Sequence, residues 1–258
     1  MSADDLEIAG FVPFSAIDWP GKLSAVVFLQ GCPWNCGYCQ NPDLIESGPG
    51  IVPWDHVRET LEKRVGLLDG VVFSGGEPTL QPEIVDAVVE VKGMGFGAVL
   101  HTNGAYPDRL AELLPNLAWV GLDIKAPLSR YPEVTGSRRG GERAWASLDV
   151  LIASGVDYEV RITVDPTVLT LPDVEEIVGE LTRRGTPPPV LQEARAQGAR
   201  PEFVAKLGDR RLSDVVPEDA LPGIERRVNL TTSESAPGIR EALSQRDDRH
   251  IGGNASAA

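Results

Sequence analysis

Three features of the 258-residue sequence predict an α/β fold built on a mainly parallel sheet. Short apolar and β-branched runs alternate with helical patterns from Leu23 onward. Each helical segment has about the length that a crossover between parallel strands needs. Six strand runs can be found, too few to close an eight-stranded barrel. At this length, with 42% hydrophobic residues, the chain can bury the core of one such domain.

Residues 1–22 form an extension and an opening segment ahead of the first strand. Strands are expected near Ser24 to Gln30, Gly70 to Phe73, Gly97 to His101, Trp119 to Ile124, Val156 to Thr163 and Pro189 to Leu191. Between them, "PWDHVRETLEKRVGLL" starts a helix with Pro53 and Asp55 near its N-terminus. "QPEIVDAVVEVKGMG" places Ile84, Val85, Val88, Val89 and Met94 on one face before Gly93 and Gly95 stop it. "PDRLAELLP", "GERAWASLDVLIASG" and "LPDVEEIVGELTRRG" repeat the pattern, the last two ending at a glycine. The βα units therefore span residues 23–193. A C-terminal helical extension of one or two helices is expected over 194–228, and a disordered tail over 229–258, where Ser, Gly, Ala and charge dominate.

Thirty-eight acidic against 24 basic side chains give a formal charge of -14, which disfavours nucleic acid as a partner. The acidic start "MSADDLEIAGFVPF" is not expected to act as a secretory leader, and no apolar run approaches the roughly 18 residues of a membrane span. A soluble, cytoplasmic protein without a membrane partner is expected.

"GCPWNCGYCQNP" holds all three cysteines, Cys32, Cys36 and Cys39, just past the first strand. Strand C-terminal ends are where parallel α/β folds build sites, and an odd, clustered set argues for metal ligation rather than a disulfide framework. Structural zinc wants four Cys or His ligands, and His56 is the only histidine near in sequence. An iron–sulfur cubane suits thiolates better; three of them leave one iron open to a reactant. The missing fourth cysteine is then the functional feature.

The Cys-x3-Cys-x2-Cys loop resembles that of the radical S-adenosylmethionine (radical SAM) superfamily. There the three cysteines hold a [4Fe-4S] cluster and the amino and carboxylate groups of SAM chelate the fourth iron. The resemblance implies a partial (β/α)6 barrel of the radical SAM type. It assigns Cys32, Cys36 and Cys39 to the cluster, and it places Tyr38, Cys39 and Gln40 beside the cofactor, with the aromatic residue near the adenine. "VVFSGGEPTL" resembles the family's Gly-Gly-Glu motif, which assigns Gly75, Gly76 and Glu77 to the SAM amino group. On its own the motif marks a tight turn, and a carboxylate beside two glycines can accept from an ammonium.

"HTNG" at 101–104 and "GLDIKAP" at 121–127 resemble segments of the glycyl radical enzyme activases, usually Asp-Thr-Asn-Gly and Asp-x-Lys. They implicate Thr102, Asn103, Asp123, Ile124 and Lys125, with Lys125 on the SAM carboxylate and Asp123 on SAM or a monovalent cation. The alternative for Asp123 and Lys125 is a surface ion pair on a strand end. Arg161 either reaches the cofactor or is a solvated strand end. His101 stands where activases commonly have Asp, and Gln40 where many have His.

"IDWPGKLSAVVFLQGC" resembles the activase segment leading into the first strand, and the likeness extends over residues 10–193. It implies an activating enzyme most like those of anaerobic ribonucleoside-triphosphate reductase. Such an enzyme cleaves SAM reductively to a 5'-deoxyadenosyl radical and installs a glycyl radical on its partner. Residues 40–73 contain no cysteine beyond this loop, so one cluster and an external donor such as flavodoxin are expected. A small-molecule enzyme resembling 7-carboxy-7-deazaguanine synthase and a non-catalytic iron–sulfur protein are the alternatives.

Overall fold

The computed structural model describes residues 2–228. Among them one eight-stranded sheet runs in sequence order: β1 (Ile8–Ser15), β2 (Ser24–Leu29), β3 (Gly70–Gly75), β4 (Gly97–Thr102), β5 (Trp119–Asp123), β6 (Tyr158–Val164), β7 (Val190–Glu193) and β8 (Glu225–Arg227). β1 pairs antiparallel with β2 and every later pair is parallel. β1 and β8 form the two edges, so the sheet is not closed.

The six expected strands are β2 to β7; the two edge strands are corrections. β1 lies in the segment read as an extension, and its alternation is broken by Gly10, Pro13 and two register shifts, which hide a period of two. β8 is a three-residue strand where only helix was expected, held by pairing with β7 and by an Arg227–Glu159 ion pair at 2.7 Å. The tail expectation for 229–258 lies outside the described residues.

Five helices fall where the glycines and prolines placed them: α1 (Trp54–Glu62), α2 (Ile84–Gly93), α3 (Pro107–Leu113), α5 (Gly140–Ser154) and α6 (Leu171–Arg183), while the one-turn α4 (Tyr131–Thr135) was not expected. α7 (Pro201–Leu207) and α8 (Leu212–Val215) follow β7. α1 stops well before the end of the expected run, and on α2 the inward face is Ile84, Ala87, Val88 and Val91. Val89, expected on that face, is 51% exposed, because an i, i+3, i+4, i+7 stripe cannot include it.

Alternate strand residues serve the two faces. Val71, Phe73, Leu100, Val120 and Leu122 join Trp54, Val88, Leu110 and Leu148 in the main core beneath the helices. Val26, Val72, Val99 and Trp119 form a second, small apolar cluster with Trp19 and Phe28 on the opposite face. Trp19 crosses the starts of β3 and β4, and a Cβ on Gly70 or Gly97 would lie 2.7 Å from its ring. The C-terminal ends of the strands are left for polar groups.

Candidate functional site

The cysteine loop leaves β2 at Gly31, in the left-handed region (φ +93°), and is tied down by its backbone. Gly31 and Cys32 N–H donate to Leu44 and Ile45 carbonyls, each at 2.9 Å, and Asn35 N–H donates to Thr135 O at 2.8 Å. The Gly-Gly-Glu turn is stitched to the same loop: Gly76 N–H donates to Leu29 O at 2.9 Å and Glu77 N–H to Gly31 O at 2.8 Å. A Cβ on Gly75 would strike the Leu29 backbone, and one on Gly76 would strike the Gly31 carbonyl. Both glycines are thus required by backbone approach alone.

Cys36 is buried and Cys32 and Cys39 are half-buried. Burial pushes the Cys32 thiol up to about 12 and raises Cys36 as well. Burial therefore keeps Cys32 and Cys36 as neutral thiols until a metal centre displaces their protons. Asn103 Nδ2 donates to Cys32 Sγ at 3.6 Å. Among the described residues no three His, Cys, Asp or Glu side chains converge to hold a single metal ion, and His56 packs edge-on against Phe11 at 6.2 Å. A zinc ion therefore finds no fourth ligand in His56, whereas three thiols spread over one loop suit a larger cluster.

Glu77 corrects one physical expectation. Its carboxylate is fully buried and engaged: Oε1 accepts from Thr79 N–H at 3.0 Å and from the Thr79 and Thr102 hydroxyls at 2.5 and 2.7 Å. Oε2 accepts from Asn103 N–H at 2.7 Å. Burial pushes the carboxyl up while these donors pull it down. It binds the β3 turn to the β4 turn and has no exposed oxygen for an ammonium. Thr102 Oγ1 also accepts from Gly104 N–H at 3.0 Å, and Asn103 Oδ1 from Ala105 N–H at 3.0 Å, which orders the "HTNG" turn.

Asp123 sits between two cations, Lys125 Nζ at 3.2 Å and Arg161 Nε at 3.2 Å. Against burial, which pushes its carboxyl up, Lys125 and Arg161 hold it below the usual range. Lys125 is 8% exposed, so this is no surface pair; burial works against its charge, but Tyr38, Asp123 and Cys36 hold its pKa well above the ordinary value. Arg161, 11% exposed, is no solvated strand end either. Its guanidinium lies against Gly121, the residue without a Cβ. His101 Nε2 pairs with Asp18 O at 2.8 Å, and burial followed by Arg161 pushes the imidazole down to about 3, so it is neutral.

Tyr38 closes the arrangement. Lys125 Nζ stands 5.6 Å from its ring centroid, Phe203 packs at 6.4 Å, and its buried hydroxyl has no hydrogen-bond partner. Such an orphan is what a polar ligand would satisfy. Ile124 is fully buried in the core, so only its backbone can face a ligand. Gln40 turns its Oε1 to Arg195 at 2.7 Å. Sequence reasoning missed Tyr131, whose Oη accepts from Lys125 N–H at 3.1 Å, and Arg200, which donates to Cys36 O at 3.3 Å. Neither sits in a motif. The structure thus brings Cys32, Cys36, Cys39, Tyr38, Asn103, Asp123, Lys125 and Arg161 to one end of the sheet.

The sequence pattern of the radical SAM superfamily matches residues 26–186, which span β2 to the end of α6 and every residue just described on the strands. The chain belongs to the radical SAM superfamily. A provisionally named glycyl-radical enzyme activating enzyme of Methanocaldococcus jannaschii is 35% identical over 183 residues, covering 66% of this chain and 73% of that one. The pyruvate formate-lyase-activating enzyme of Clostridium pasteurianum is 32% identical over 162 residues, 59% of this chain and 66% of that one. Among solved structures, native anSMEcpe with bound AdoMet superposes with a TM-score of 0.53 at 17% identity, covering 69% of this chain and 55% of that one, a likeness of fold. This radical SAM protein accordingly uses a [4Fe-4S] cluster and SAM, and the three thiols, the orphan Tyr38 hydroxyl and the Lys125–Asp123–Arg161 group fit both. Among the described residues no helix is long and apolar enough to cross a membrane.

Proposed function

We propose that the chain is a cytoplasmic activating enzyme that installs a glycyl radical on a partner, anaerobic ribonucleoside-triphosphate reductase. The observation that carries the reading is the incomplete donor set. Three cysteines share one loop, and beside them stand a cation and an orphan hydroxyl rather than a fourth thiol. The relatives named as activating enzymes support the choice of reaction.

Cys32, Cys36 and Cys39 would hold the cluster, and Lys125 would bind the SAM carboxylate. The backbone of Gly75 and Gly76 would meet the amino group, since the Glu77 carboxylate is occupied. Tyr38 would lie against the adenine, with Thr102, Asn103, the Ile124 backbone and Arg161 forming the walls. When bound, cluster and SAM would supply one-electron cleavage of the sulfonium and, through it, hydrogen abstraction from a substrate. The protein's part is orientation and exclusion of water. The open sheet, with β1 and β8 unpaired on their outer sides, supports a protein substrate that approaches from an edge.

The test is anaerobic incubation of the reconstituted, reduced protein with SAM and purified glycyl radical enzymes. A glycyl doublet by electron paramagnetic resonance on the ribonucleotide reductase is the expected result. A doublet on pyruvate formate-lyase alone would reassign the partner. SAM cleavage with no doublet on any candidate, but turnover of a small molecule, would overturn the activase reading.

A further inference from the structure

The turn after β4 brings a side-chain amide to the sulfur of one cysteine. Asn103 Nδ2 donates to Cys32 Sγ at 3.6 Å, and its surroundings hold it in that aim. Its Oδ1 accepts from Ala105 N–H at 3.0 Å, which fixes the oxygen on that donor and leaves the NH2 group for the sulfur. Its backbone N–H donates to the buried Glu77 carboxylate at 2.7 Å. The turn is pinned again at Gly104, whose N–H donates to Thr102 Oγ1 at 3.0 Å and whose carbonyl accepts from Ser147 Oγ at 2.8 Å. Asn103 is only 6% exposed, so solvent competes little for its amide. Cys32 also takes a backbone hydrogen bond from Trp34 within its own loop. The Asn103 bond differs in kind, because it arrives from another strand end, 71 residues away in sequence.

We infer that Asn103 is a positioning residue that, through Cys32, sets how readily the centre held by the three thiols accepts an electron. This role rests on the radical SAM reading, which by itself gives Asn103 only a place in the wall around SAM. One-electron reduction adds negative charge to a thiolate-ligated iron–sulfur centre, and the ligand sulfur becomes a better acceptor. A donor already aimed at Cys32 Sγ therefore stabilises the reduced form more than the oxidised form and raises the potential. Burial enlarges the difference, because little solvent reaches the sulfur's partner. The occupied Glu77 carboxylate serves the same end: by holding the Asn103 N–H it keeps the amide from turning away from the sulfur.

The test is a redox titration, followed by electron paramagnetic resonance without SAM, of the reconstituted full chain and of two uncharged variants. Asn103→Leu has nearly the shape of asparagine and no donor. Asn103→Ser keeps an oxygen for Ala105 N–H, but its hydroxyl is too short to reach Cys32. The cysteines and the Trp34 bond are untouched, so both variants should retain the iron content of wild type. In each, reduction should become about tenfold less favourable, a fall of about 59 mV for one electron. Should Asn103→Leu fail to fold, Asn103→Ser decides alone. An assembled cluster with an unshifted potential would overturn the role. Weaker SAM binding at an unshifted potential would equally overturn it, and would leave the amide as a contact to SAM. If wild type assembles no [4Fe-4S] centre, the radical SAM reading itself fails, and the role of Asn103 with it.

Discussion

Alternate residues of the same strands build the two faces of the sheet to opposite ends. On the helix-covered side Val71, Phe73, Ala98, Leu100, Val120 and Leu122 are at most 1% exposed, and nothing polar interrupts them. On the opposite side the strands begin apolar, with Val72, Val99 and Trp119, and give way to His101, Asp123 and Arg161 further along. The first face gains stability from burial; the second gives some up to hold charges that burial disfavours. Each charge there has its partner, and the uncharged His101 has a carbonyl.

Substitutions on the two faces should therefore separate chemistry from stability. The largest effect is expected from Cys36→Ala, which should abolish iron retention and lower SAM cleavage by at least about a thousandfold with little change in unfolding of the metal-free chain. Iron analysis and product assay check this. Phe73→Ala should do the reverse. This ring, buried beneath the helices and stacked on Trp54 at 6.2 Å, should cost about 3–5 kcal/mol in urea unfolding while leaving SAM cleavage per folded molecule within about twofold. A cleavage defect in Phe73→Ala matching that of Cys36→Ala would break the comparison.

Glu77 joins the two regimes, since a charged group at the site does a structural task. Glu77→Gln puts an amide where Oε2 now accepts from Asn103 or where Oε1 accepts from Thr79, and should destabilise by about 1–3 kcal/mol. SAM affinity measured by calorimetry should change less than that stability loss implies. His101 sharpens the contrast with pH. Its folded pKa of about 3 lies below its ordinary 6.5, so in that window the unfolded chain binds a proton the folded chain does not. Stability present above 6.5 is lost as pH falls, by up to about 1.4 kcal/mol per unit. His101→Gln should flatten the wild-type slope between about pH 6.5 and 5, read by urea titrations. The smallest effect concerns cations. Because Arg161 already pairs with Asp123, exchanging sodium for potassium or a large organic cation should move SAM affinity by less than about twofold.

The helix-covered face was legible because burial writes a period into the sequence: the six inner strands and five main helices follow from it. β1 and β8 escaped because edge strands carry breaks and shortness instead of alternation. The cysteine loop and the strand-end motifs were legible as residue types, yet the task of Glu77 was not. Only coordinates show that Thr79, Thr102 and Asn103 occupy its carboxylate. Tyr131 and Arg200 act through a hydroxyl and a guanidinium brought from other elements, which no local pattern encodes.

The central claim is that three thiols at the C-terminal end of the parallel strands hold a centre to which SAM binds directly. The most direct measurement is the electron paramagnetic resonance spectrum of the reconstituted, dithionite-reduced protein before and after SAM, with 5'-deoxyadenosine assayed in parallel. The account predicts a reduced [4Fe-4S] signal that SAM alters and product that forms in wild type and is lost in Cys36→Ala. A reduced cluster signal that SAM leaves unchanged, with no product formed, would contradict it and leave an electron carrier in its place.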